Sequence, residues 1–273
     1  MCGIAGFFDK SNSLDQHQLL LYNQVLRRRG PDDSDVYFEK SFHGSLGFSH
    51  TRLSILDLSM LAKQPMVYEN LVIILNGEIY NFKSIQKELI DLGYSFKSRS
   101  DTEVVLKAFH AWGLTCVNKF KGMFAFAIYD RNLKKVFLCR DRVGIKPLYY
   151  YIDENQFIFG SELKVFFNTV TFHAEIDLSS LKTFINYGYV THPYTILSNV
   201  FKAEVGSWVV FDSTSFSLET FKYWDYGKFY EKEKFQGSFE DAVNETEVLV
   251  KEACELRMVS DVPVGVFLSG GFD

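Results

Sequence analysis

A cysteine stands second in the chain, in the run Met1-Cys2-Gly3-Ile4-Ala5-Gly6. Removal of Met1, which a small second residue permits, leaves a chain that begins with a thiol beside a free α-amine. The thiolate is the nucleophile. An α-amine, titrating at about 7.7–8.0, can act as its base near neutral pH. One residue then supplies both halves of a nucleophilic catalyst. The plainer alternative is a small, buried apolar cysteine in a first strand, and the rest of the sequence has to decide between the two.

Four segments bear on that choice: Ser49-His50-Thr51-Arg52-Leu53-Ser54-Ile55, Asn76-Gly77-Glu78-Ile79-Tyr80-Asn81, Ser100-Asp101-Thr102-Glu103, and the stretch from Arg140 to Tyr150. Taken singly, each has a plain reading. Arg52 is a solvated or ion-paired arginine, Glu78 a surface charge, and Asn76-Gly77 a turn pair. Asp101 is a cap for a helix over 102–112. In this order, and with the Arg29-Gly30-Pro31-Asp32 turn and Phe159-Gly160-Ser161-Glu162-Leu163-Lys164, the set closely resembles the asparagine synthetase family of class II glutamine amidotransferases. The resemblance covers essentially the whole chain. Two details depart from the family pattern: Arg28 stands where histidine is usual, and Val205-Gly206 where a Pro-Gly turn is usual.

The resemblance implies an α+β fold, the four-layer αββα sandwich of N-terminal-nucleophile hydrolases, which cleaves the glutamine side-chain amide without a cofactor. Cys2 would attack the carboxamide carbon, assisted by its own amine. The Asn76 side-chain amide and the Gly77 backbone N–H would stabilise the oxyanion, glycine leaving room for close approach. Arg52, with Leu53, Ser54, Ile55 and Leu56 beside it, would hold the glutamine α-carboxylate in a fork of donors. Glu78 and Asp101 would receive the α-ammonium. Arg140-Asp141-Arg142 reads as a buried ion-pair cluster bracing the site, and His50 as packing.

The end of the chain, Asp261 to Asp273, resembles the strand and glycine-rich loop that open the family's ATP-pyrophosphatase domain. Phe267, Ser269, Gly270, Gly271 and Asp273 would belong to an incomplete nucleotide site. The implied organisation is a glutaminase domain over 2–225 and the truncated start of an α/β synthetase domain over 238–273. The complete enzyme would use ATP and magnesium to amidate aspartate or another carboxylate, with a homodimer as an option. Competing readings are an amidotransferase for a sugar or peptide acceptor, another N-terminal-nucleophile amide hydrolase, and a non-catalytic truncated remnant.

These residues need elements to position them. Apolar residues 3–8 read as a buried strand, and 71–80 as a continuous β-rich run. Strands follow over 123–129, 135–140, 147–152, 156–160 and 205–211. Asp130-Arg131-Asn132 and Asp153-Glu154-Asn155 read as hairpin turns. Ser13 with Gln16, Ser100 with Glu103, and Ser238 with Asp241 read as helix starts, the first two as capping boxes. Asn81 reads as the cap of a helix over 82–92 closed by Gly93. Further helices fall at 178–187 and about 239–258, and a last strand at Pro263 to Leu268. Strands and helices come in blocks, which predicts helices layered on antiparallel sheets.

Composition sets the outer bounds. The 273 residues include 47% hydrophobic side chains, with 27 Phe and 15 Tyr, enough for a large core. A net charge of −5, with no basic cluster beyond Arg27-Arg28-Arg29, argues against nucleic acid. No apolar run reaches membrane-spanning length and no signal peptide opens the chain. Four dispersed cysteines without a CxxC fit a reducing cytosol, and six histidines lack metal-ligand spacing.

Overall fold

The computed structural model describes residues 1–231 and 233–271. In chain order its strands are β1 (Gly3–Asp9), β2 (Asp33–Ser41), β3 (Gly44–Arg52), β4 (Met66–Tyr68), β5 (Leu71–Ile79), β6 (Gly122–Asp130), β7 (Lys135–Arg140), β8 (Tyr149–Ile152), β9 (Gln156–Gly160), β10 (Val200–Lys202), β11 (Ser207–Asp212) and β12 (Ser217–Lys222). Its helices are α1 (Gln16–Leu26), α2 (Phe82–Asp91), α3 (Asp101–Trp112), α4 (Lys164–Phe167), α5 (Leu178–Tyr187), α6 (Gly227–Tyr230) and α7 (Phe239–Arg257).

Two six-stranded sheets, ordered β10-β8-β9-β1-β3-β2 and β12-β11-β7-β6-β5-β4, stack face to face. Strand alternation explains why their sequences read as unbroken apolar runs. In β5, Val72 and Ile74 enter the core between the sheets, while Leu71, Ile73 and Leu75 enter the core under α2 and α3. In β1, Ile4 and Phe8 face the other sheet, while Ala5 and Phe7 face α1 and α4. A sheet covered on both faces has no solvated face to mark with polar residues. The result is the expected four layers: α1 and α4, sheet, sheet, α2 and α3. The Phe157 and Phe211 rings stack across the two sheets, with centroids 4.5 Å apart and planes at 10°.

Several local expectations need correction. The cap of α1 is Asp15, whose carboxylate accepts from the His17 and Gln18 N–H groups, whereas Ser13 binds Asp9. The longer reach of Asp9 claims Ser13 before it can cap. Ser100 does cap α3, accepting from Thr102 N–H, but Glu103 makes no capping box. Its carboxylate is taken by the Lys97 and Ser98 N–H groups, the Ser98 hydroxyl and Lys107. Asn81 precedes α2 without capping it. Its side chain donates to Lys119 O and accepts from Lys121 N–H, tying α2 to the chain entering β6. Only the Ser238–Asp241 pair forms a capping box among the described helices.

Residues 263–268 form no strand, because no described strand lies alongside to share its ladder. Val266, Phe267 and Leu268 are exposed, and α7 has no buried residue. Helix α7 nonetheless touches the body, through a Lys121–Glu252 ion pair of 2.6 Å and the Arg257 guanidinium over the Tyr80 ring. No described helix is long and apolar enough to cross a membrane.

Candidate active site

The site forms at one end of the gap between the sheets, where β1 begins and the second half of β5 passes. A cavity of about 100 Å³ opens there, walled by Cys2, Arg52, Leu53, Asn76, Glu78 and Asp101, among others. Four distant stretches of sequence thus converge. Leu56, Ile55 and Gly77 also line the cavity, as does Met1, which precedes the thiol in this chain.

The Cys2 sulfur accepts a hydrogen bond from Leu53 N–H at 3.4 Å, and its thiol points back at Leu53 O at 3.8 Å. Burial pushes the thiol's pKa up, and the Leu53 contact, the chain-terminal amine and Arg52 work in the opposite direction. Burial also lowers the pKa of the terminal amine, helped by the charges of Lys146 and Arg29. The Arg29 guanidinium holds the Cys2 carbonyl at 2.9 Å and pairs with Glu162 at 3.3 Å. Arg28, next to it, is exposed.

Asn76 is fully buried, and among the described residues no group bonds either its amide nitrogen or its amide oxygen. A buried amide with neither end satisfied costs on the order of 1–3 kcal/mol. Here it faces the cavity beside Cys2. Gly77 pairs with Phe124 on β6. Its neighbours Leu75 and Ile79 turn their N–H groups away from β6, to the Gln64 side-chain oxygen at 2.6 Å and the Asp101 carboxylate at 2.9 Å. Alternation puts the Gly77 N–H on that same edge, where β4 pairs only as far as Ile73. The need for glycine differs from the sequence expectation. A Cβ at 77 would lie 2.3 Å from Met123 O and 2.6 Å from Phe124 Cα, so β6 demands the glycine.

Arg52 is buried, and among the described residues it has no acidic partner. Its guanidinium donates to the backbone carbonyls of Leu56 (3.3 Å), Ser59 (3.2 Å) and Asp57. The loop after β3 curls around the head group and holds it in the cavity wall. Ser54 lies outside that wall. Its N–H donates to Asp32 at 2.7 Å, so it fastens the loop to the Gly30-Pro31-Asp32 turn. Asp101 does not cap α3, since its carboxylate reaches across to Ile79 N–H. Burial raises its pKa to about 6, with the Glu78 charge adding and the backbone N–H groups opposing. Burial also raises Glu78, against the pull of Lys146.

Sequence reasoning left out Lys146, which lines the cavity. Burial lowers its pKa, while Glu78 and Cys2 raise it. The signal lay at the end of the Arg140–Tyr150 motif. The motif does brace the site, but through backbone, not through an ion-pair cluster. Arg140 donates to the Lys146, Ala203 and Gly144 carbonyls, and Asp141 accepts from the Phe124, Val143, Ile145 and Lys146 N–H groups. Gln64 and Thr102, also in the wall, bond each other at 3.0 Å. His50 is buried, its Nε2 3.2 Å from Leu75 O, and burial lowers its pKa to about 3. It bridges the sheets as a neutral donor.

The described candidate nucleotide residues assemble no site. Phe267, Ser269, Gly270 and Gly271 are exposed, and the Gly271 N–H donates to the Ser269 hydroxyl at 3.2 Å. Asp273 lies outside the described residues. Among the described residues no three His, Cys, Asp or Glu side chains gather as a metal site.

Comparisons with known proteins agree with this geometry. The family model described as glutamine amidotransferase domain matches residues 1–224, and that described as asparagine synthase matches 245–273. A putative glutamine-hydrolyzing asparagine synthetase of Methanocaldococcus jannaschii is 36% identical over all of this chain and 55% of its own length. A glutamine-hydrolyzing asparagine synthetase of Bacillus subtilis is 36% identical over all of this chain and 44% of its own. The chain thus spans about half the length of these relatives. Among solved structures, a B. subtilis glutamine phosphoribosylpyrophosphate amidotransferase shares the fold, with a TM-score of 0.57 at 16% identity over 81% of this chain and 49% of that one. With its four layers, its converging pocket and a match over residues 1–224, this chain belongs to the glutamine amidotransferase domain family.

Proposed function

We propose that this chain hydrolyses the side-chain amide of glutamine to glutamate and ammonia, with Cys2 as nucleophile. The observation that carries this reading is Asn76, a buried amide unsatisfied at both ends and facing the cavity beside the Cys2 sulfur. A donor held dry and unpaired is what a developing oxyanion uses. The α-carboxylate of glutamine meets Arg52, and its α-ammonium meets Glu78 and Asp101. The Cys2 thiolate adds to the carboxamide carbon, and the oxygen takes up negative charge opposite the Asn76 amide and the Gly77 N–H. The C–N bond then breaks, and the nitrogen leaves as ammonia with the proton first taken from the thiol by the α-amine of Cys2. Water attacks the resulting thioester, releasing glutamate and restoring the thiol. The mechanism requires loss of Met1, which otherwise occupies the amine's place.

The likeness to proteins named asparagine synthetase supports a finer reading. The ammonia serves an ATP-dependent amidation of a carboxylate, aspartate by that likeness. Residues 2–225 then form the glutaminase domain and 238–273 the start of a second one. The exposed Ser269-Gly270-Gly271 does not form a phosphate cradle here. The unpaired Cys116 and Cys139, both buried, suit a reducing cytosol. The test is ammonia release from glutamine by the Met1-free protein, compared with Cys2→Ala. Loss of all release in the variant supports the reading, and retained release overturns it.

A further inference from the structure

The loop that forms the glutamine pocket is held from two sides. On its inner side the Leu56, Asp57 and Ser59 carbonyls hold the Arg52 guanidinium. The Asp57 carboxylate ties the turn to Ser59 and to Arg99 N–H at 2.7 Å, and Asp57 itself adopts a φ of +48°. That conformation is unfavourable for a residue with a Cβ and needs support. On its outer side the support comes from far along the chain. The Asp261 carboxylate accepts Asp57 N–H at 2.7 Å, and Asp261 N–H donates to Ile55 O at 3.0 Å. Asp261 lies beyond the amidotransferase-domain match, within the segment matched by the asparagine synthase model. It is anchored by Val259, which packs against the core beneath α2 and α3.

The geometry points to Asp261 as a positioning residue for glutamine: it fastens the Ile55–Asp57 turn so that the turn's carbonyls keep Arg52 aimed into the pocket. This rests on the reading of Arg52 as the carboxylate receptor. Its consequence is that the amidotransferase pocket is completed by the segment that follows it, so a displacement of residues 258–261 changes glutamine affinity without touching the chemistry at Cys2. The expected signature is a rise in KM with kcat retained, because the clamp acts on binding of the α-carboxylate and not on the reacting amide.

The experiment uses the 273-residue protein and the variants Asp261→Ala and Asp261→Asn. The alanine variant lacks the acceptor, whereas the asparagine side-chain oxygen can still accept Asp57 N–H. For Asp261→Ala, KM for glutamine should rise about tenfold, the order expected when a hydrogen bond to a charged group is lost. Its kcat and melting temperature should stay close to wild type, and amide exchange over residues 54–59 should accelerate. Asp261→Asn should restore most of the lost affinity and the slow exchange. Unchanged exchange over 54–59 in Asp261→Ala would overturn the clamp, as would faster exchange with an unchanged KM. A wild-type protein that releases no ammonia, while Asp261→Ala still accelerates exchange, would fault the assigned reaction and leave the clamp standing.

Discussion

At the scale of single residues, the pocket is a set of charges and one orphaned amide placed around a thiol. Replacing Asn76 by alanine removes the side-chain donor and the buried unsatisfied amide together. We expect kcat to fall about 10²–10³-fold with a small change in KM, and folding stability to hold, because neither amide atom bonds any described residue. Steady-state kinetics beside a thermal melt check both, and a kcat within threefold of wild type would remove Asn76 from the oxyanion site. Asp101 gives a pH signature. Its carboxyl is raised to about 6. It is therefore neutral below that value, unable to pair with an ammonium, and anionic above it. The specificity constant for glutamine should fall as pH drops through about 6, and the limb should vanish in Asp101→Asn. The sign for stability is opposite. The buried anion is costly, so folding is favoured below about pH 4 and loses that contribution as pH rises toward 6. That Cys2, Arg52, Asn76, Gly77, Glu78 and Asp101 belong together, as the one cavity they line now shows, was legible from their motifs. Lys146 was visible only as the end of a motif, since its placement depends on how Arg140 and Asp141 fold the backbone.

At the scale of elements, β5 and the loop after β3 do the positioning. Residue 77 must be glycine for the sake of β6. Gly77→Ala places a Cβ against Met123 O and Phe124 Cα, and should destabilise the fold by about 1–3 kcal/mol as the strands part. Urea unfolding measures this, and an unchanged midpoint would show that β6 yields freely. The long apolar strands were legible because a sheet buried on both faces writes a continuous run. Helix caps were less so, because several side chains can compete for the same N–H groups: Asp9 captures Ser13, and Ser98 with Lys107 captures Glu103. The strand expected at 263–268 failed for another reason. A strand is a property of its pairing partner, and no described strand lies beside those residues.

At the scale of the whole molecule, residues 1–224 build a closed four-layer body, while α7 lies on its outside and Val264, Val266, Phe267 and Leu268 hold their apolar side chains in solvent. Glutamine hydrolysis and nucleotide binding should therefore separate in this chain. Ammonia release should need no ATP, and calorimetric titration with ATP should show no saturable binding below millimolar. Sub-millimolar binding would mean that a phosphate site lies somewhere other than Ser269-Gly270-Gly271. The two family matches could be read along the sequence, but Asp261 on the glutamine loop could not. Its partners Ile55 and Asp57 are some two hundred residues distant, and no spacing rule links them.

The reaction proposed for this pocket depends on Cys2, freed of Met1, acting as the nucleophile for glutamine. Intact-protein and peptide mass spectrometry after exposure to a diazoketone analogue of glutamine tests it most directly. One adduct per chain is expected, on Cys2 of molecules that have lost Met1, prevented by excess glutamine and absent from Cys2→Ala. Labelling of Cys116, Cys139 or Cys254 in its place, or equal labelling of chains that retain Met1, would contradict it.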